Sequence, residues 1–154
     1  MTQAIAPKTS KRSLYESDFV LWSEETAAKL RAGDFTNLDL ENLIEEVDDL
    51  GRSRKKEIKN RLRVLLEHLL KRLYVNMPQE FRGWEITIRE QRSQIELDIE
   101  DSPSLKNIWD ESFDVAWRIA IKQVRGDYKN FDFPNTWQFK RNLDAMLNID
   151  FWEV

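Results

Sequence analysis

Apolar residues recur along this chain at three- and four-residue spacing, which marks amphipathic helices rather than strands. Phe19, Trp22, Thr26 and Leu30 outline a first helix from Ser17 or Asp18 to Gly33, where a glycine can take the left-handed cap conformation. Phe35 to Leu38 connects it to Asp39, a natural N-cap. Leu40, Leu43, Ile44, Val47 and Leu50 form the stripe of the next helix. Gly51 either caps that helix or kinks it into a following one from about Ser53 to Val75, striped by Ile58, Leu62, Leu65, Leu66, Leu69 and Leu73. Asn76-Met77-Pro78 ends this pattern, and Phe81 to Gly83 reads as a turn.

A further helix is predicted from Trp84 to Glu100, with Trp84, Ile88, Ile95 and Ile99 on one side. Ile86 and Leu97 lie opposite, which predicts contact on two faces; the period-two pair Ile86 and Ile88 also permits a short strand, a lesser reading. Ser102-Pro103 is a strong helix start. The helix it opens runs to about Val124 with Leu105, Ile108, Trp109, Ser112, Phe113, Ala116, Ile119 and Ala120 inward, and Gly126 ends it. After the aromatic loop Phe131-Asp132-Phe133-Pro134, a last helix is expected from Thr136 to Asn148. The expected fold is all-α: an irregular bundle of five to six helices forming one domain over 14–154, behind a flexible tail over 1–13.

Composition narrows the function classes. The absence of cysteine excludes disulfides, thiolate metal sites and a cysteine nucleophile. No apolar run approaches the roughly 20 residues of a membrane span, and the N-terminus lacks the apolar core of a secretory signal, so a cytoplasmic protein without membrane contact is expected. The net charge of −4 disfavours a dedicated nucleic-acid binder.

Charge is strongly segregated. Residues 39–49 hold six acids and no base, and residues 52–63 hold seven bases against the single acid Glu57. The basic run admits phosphate contact, but no aromatics are interleaved with it. Pairing of the two halves, by folding back at Gly51 or across two copies, is the better reading. Acid pairs such as Glu45/Asp48, Glu46/Asp49 and Glu111/Asp114 raise a metal-dependent nucleotide phosphohydrolase as an alternative, because Mg²⁺ takes oxygen ligands. On a helical wheel most of these acids point away from the apolar stripe and only Glu46 flanks it, so a solvated face is preferred.

The other candidate binding residues are Arg52, His68, Gln91 and Arg92. The lone His68 sits about 120° from its stripe centre with no partner acid at helical spacing. Gln91 and Arg92 flank the stripe of their helix. A guanidinium there requires an acid or carbonyl, for which Glu46 is the candidate. Trp117 and Ile121 fall off the stripe of their helix, which marks either an interface pair or a face covered by another helix of the same chain. No catalytic constellation, metal site or cofactor motif is present. The leading expectation is a protein-interaction module that binds another protein or a second copy of itself. The phosphohydrolase and nucleic-acid contact through 52–63 stand as alternatives.

Several segments form a recognisable set: Tyr15-Glu16-Ser17-Asp18-Phe19 with Trp22; Asp39 to Val47 with Leu50-Gly51-Arg52-Ser53; Leu65 to Lys71; Trp84 with Ile88 to Arg92; and Asp101 to Leu105. Together they resemble the bacterial, largely cyanobacterial, family catalogued as domain of unknown function 29, most specifically from Ser13 to Leu105. The resemblance implies a small all-helical cytoplasmic protein and transfers no catalytic residue.

Overall fold

The computed structural model describes residues 13–154. Of the expected tail, all but Ser13 lies outside the described residues. Those described form six α-helices and two 3₁₀ turns, without a strand: α1 (Leu14–Ser17), α2 (Phe19–Ala32), α3 (Leu40–Tyr74), α4 (Pro78–Asp101), a 3₁₀ turn (Pro103–Ile108), α5 (Trp109–Asp127), α6 (Leu143–Asn148) and a final 3₁₀ turn (Phe151–Glu153). The all-α expectation holds. The chain gathers into two compact units, one up to Leu50 and one from Gly51 to Val154.

In the first unit, Asp18 caps α2 by accepting from the Leu21 amide at 3.0 Å. Gly33 ends that helix in the left-handed conformation at φ 70°, its amide bonded to Leu30. Asp39 opens α3: its Oδ1 accepts from the Asn42 amide at 3.4 Å, and its Oδ2 from the Trp22 indole at 3.2 Å. One carboxylate therefore both caps a helix and ties α2 to it. Tyr15, Phe19 and Trp22 stack by edge and tilted contacts. Among the described residues of this unit, only Trp22 and Thr26 are buried.

The second unit holds the hydrophobic core. Ile58, Leu62, Leu65, Leu66, Leu69 and Leu70 of α3 meet Ile88, Ile95 and Ile99 of α4, the α5 stripe, and Ala145, Met146 and Phe151 near the C-terminus. Such continuous apolar packing is the main source of a domain's stability.

Five boundaries depart from expectation. Helix α3 passes through Gly51 unbroken, so the acidic and basic halves lie along one helix and do not fold back on each other. Helix α4 starts at Pro78, whose fixed φ suits a first helical position, and it takes Phe81 to Gly83 into its body. An interior glycine costs only about 1 kcal/mol, which packing readily outweighs. For the same reason Gly126 lies inside α5, which ends at Asp127. The first turn after Ser102 is 3₁₀, and the last α-helix spans only Leu143–Asn148. Residues before it are irregular because Trp137 and Phe139 pack onto Phe151 instead of following a helical path.

Two expectations about faces are corrected. Ile86 and Leu97 of α4 are exposed, so their side of the helix is not a second contact face. On α5, Ile119 is exposed while Ile121 is buried and Trp117 is half-buried. The inward face is rotated toward Trp117 because Trp137 packs edge-on against both Trp117 and Phe113. Trp117 and Ile121 are covered by their own chain, so of the two readings the covered face holds and the exposed interface pair does not.

Candidate interaction surface

Nine of the thirteen large apolar side chains that stand exposed among the described residues belong to the smaller first unit. Phe19, Val20, Leu21 and Leu30 come from α2, Phe35 from the connector, and Leu40, Ile44, Val47 and Leu50 from the start of α3. Scattered exposed apolars are ordinary, but so large a share on one small unit is not. Local sequence explains the exposure. The α3 stripe is amphipathic, whereas the apolar residues of α2 are spread around that helix, and the described residues of this unit leave most of both exposed. The wheel placed Leu40, Ile44 and Val47 in a core, and nothing in the pattern itself distinguishes a covered stripe from an uncovered one.

The polar candidates do not assemble into one site. The Glu46 carboxylate accepts a hydrogen bond from the Tyr15 hydroxyl. Arg92, expected to pair with Glu46, instead donates to Asp150 at 2.8 Å, to the Met146 carbonyl at 2.8 Å and to the Ile149 carbonyl. It therefore clamps the C-terminal segment onto α4. His68 donates from Nδ1 to the Val64 carbonyl, 2.8 Å away and one turn earlier, which leaves Nε2 to accept from the Lys71 ammonium at 3.4 Å. Burial is the main cause that lowers the His68 pKa, aided by Lys71 and opposed by the Val64 bond and Glu67.

Gln91 lines an open hollow of about 460 Å³ with Ser53, Lys56, Glu57, Asn60, Arg61 and Val64, and its buried Oε1 has no hydrogen bond. Arg92 lines a different hollow of about 340 Å³, with Asp150 and Trp152. Adjacent in sequence, the two side chains diverge around α4. Among Glu46, His68, Gln91 and Arg92, no hydrogen bond joins any two. Arg52 is exposed on α3.

Much of the basic run is held by acids of its own unit. Arg61 binds Glu57 at 2.5 Å and Asp98 at 3.0 Å, Arg63 binds Glu67 at 2.7 Å, and Lys59 approaches Glu111 at 3.9 Å. These pairs draw the run toward structural neutralisation and away from phosphate contact. Among the described residues, no group of three or more acids or histidines gathers as a metal site would require.

The Tyr15–Glu46 contact makes a testable mark. Its hydrogen bond to the carboxylate, with burial and the nearby Glu46, Asp49 and Glu45 charges, pushes the Tyr15 pKa up to about 12. Burial also raises Tyr74 and Tyr128. A titration followed by tyrosinate absorbance is expected to show one of the three tyrosines ionising near pH 12. Tyr15→Phe should remove that step, and Glu46→Gln should bring it down toward the ordinary value near 10. The folded-state pKa is the higher one, so this contact's stabilisation is complete below about pH 10 and disappears as pH rises through about 12. A Tyr15 that ionises near the ordinary value of about 10 would contradict the contact.

A family model described as domain of unknown function DUF29 matches residues 14–152. The chain belongs to the DUF29 family. The DUF29 match takes in both units, reaching past Leu105, where the specific sequence motifs thin out, to the C-terminal segment held by Arg92. No curated protein and no solved structure matches this DUF29 chain. No helix among its described residues is long and apolar enough to cross a membrane.

Proposed function

We propose that this DUF29 chain is a protein-interaction module of cytoplasmic setting and that it acts through its first unit. One observation carries the reading: most of the large exposed apolar side chains of the described residues sit on α2, the connector and the start of α3. The dispersal of Glu46, His68, Gln91 and Arg92 into separate structural contacts supports it. The metal-dependent phosphohydrolase and the nucleic-acid reading have no comparable observation in their favour.

The test combines light scattering with capture from a lysate of the source organism, using the full chain. A retained partner or self-association is expected, and Val20→Asp with Phe35→Asp should weaken it while leaving the helical circular dichroism unchanged. A strict monomer that retains no partner would overturn the proposal.

A further inference from the structure

At about 100° per residue, positions 40, 44, 47, 51 and 54 of α3 lie within roughly 40° of one line along the helix. Leu40, Ile44 and Val47 on this line are 58%, 54% and 59% exposed. At Gly51 an added Cβ would meet nothing within 4 Å, so the helix surface there is open. The same line continues into Ile58 and Leu62, which are 1% and 0% exposed. The stripe is thus packed from Ile58 onward and bare before it. Alternating three- and four-residue spacing is the seam that a second helix covers.

Charge along the helix selects the second helix. Glu41 and Lys55 flank the seam on the same side, and among the described residues neither has an ion-pair partner. A parallel copy in register would set the acids of 39–49 against each other. An antiparallel copy about a twofold axis beside Val47 sets Val47 against Val47 and Ile44 over Gly51 of the second copy. It brings Glu41 next to Lys55 of that copy at both ends. Asp48 then lies near its own mate, the single like-charge approach on this flank. An isologous contact needs such a self-complementary patch.

We propose that α3 pairs antiparallel with α3 of a second copy of this chain across the Leu40, Ile44, Val47 and Gly51 face, with Glu41 against Lys55 at each end. This rests on the interaction reading above and names its partner. A seam of about 22 Å is short of a standard permanent interface, so the pairing is reversible.

Sedimentation equilibrium of the full chain, over a concentration series at low salt, should show a monomer–dimer exchange with a dissociation constant on the order of micromolar. Val47→Glu should raise that constant at least tenfold. Glu41→Lys and Lys55→Glu should each weaken pairing about tenfold, because each reverses two contacts. Mixing these two single variants in equal amounts should restore pairing, as should combining both changes in one chain, since each arrangement sets opposite charges together again. Circular dichroism confirms that the variants stay folded. A dimer indifferent to all these changes would overturn the seam. A strict monomer that still captures a partner, lost on Val47→Glu, would overturn self-pairing and keep the interaction reading. A strict monomer that captures nothing would overturn both.

Discussion

Phe113→Ala is expected to lower the stability of the second unit by about 4 kcal/mol, which corresponds to a melting temperature lower by roughly 18 °C. The ring is 1% exposed in the second turn of α5. It meets Trp137 edge-on at 6.2 Å, and the Arg141 guanidinium lies 4.3 Å from its centroid. Truncation removes the apolar burial, the aromatic pair and the cation–π contact together, and it leaves a cavity that rigid neighbours fill only in part. Arg141 also binds Asp114 at 2.8 Å, so the loss should loosen the irregular segment before α6. Thermal unfolding followed by tryptophan emission measures both effects. Phe113→Leu, which keeps most of the volume, should cost no more than about 1.5 kcal/mol. If alanine were as mild as leucine, the site would not be close-packed.

The second large effect is expected from Arg92→Ala, at about 2–3 kcal/mol. Arg92 leaves only 11% of its side chain exposed and makes three hydrogen bonds to the segment that closes α6. The half-exposed Asp150 contributes less than a buried partner would, so the figure lies below that of a fully buried pair. The larger part comes from the Met146 and Ile149 carbonyls, which lose their charged donor at the end of a six-residue helix. Urea unfolding should show the loss, and amide exchange should quicken first across residues 143–153. Arg92→Lys should recover only part of the stability, because an ammonium cannot reproduce the planar fork that reaches all three acceptors. Unchanged exchange in this segment would contradict the clamp.

Helical periodicity identified the core of the second unit correctly. Ile58, Leu62, Leu65, Leu66 and Leu69 recur at three- and four-residue spacing, and all are buried. Ser/Thr/Asp capping was equally local: Asp18, Gly33 and Asp39 act where their chemistry predicts. The glycine signals failed at Gly51, Gly83 and Gly126, because the small cost of one interior glycine is readily outweighed by the rest of a long helix. Trp117 and Ile121 stayed open between two readings because a wheel assumes one covering surface. Here Trp137, arriving from more distant sequence, sets which side of α5 is covered.

The candidate site shows the same division. The sequence exposed Arg92's need for an acceptor but named the wrong one. Asp150 lies 58 residues away, and no periodicity links the two. It also contained the charge reversal at Gly51 without saying whether the two halves fold together.

By itself, then, the sequence determined the all-α class, the helix stripes, the caps at Asp18, Gly33 and Asp39, and the segregation of charge along 39–63, because these depend on residues within a few turns of one another. The tertiary structure alone decided that α3 is continuous and that Arg92 holds the C-terminal segment. It also decided that the Leu40, Ile44 and Val47 stripe is left bare while the same line from Ile58 onward is buried. Whether an amphipathic face is covered depends on the elements brought against it by the rest of the chain, which local spacing does not encode.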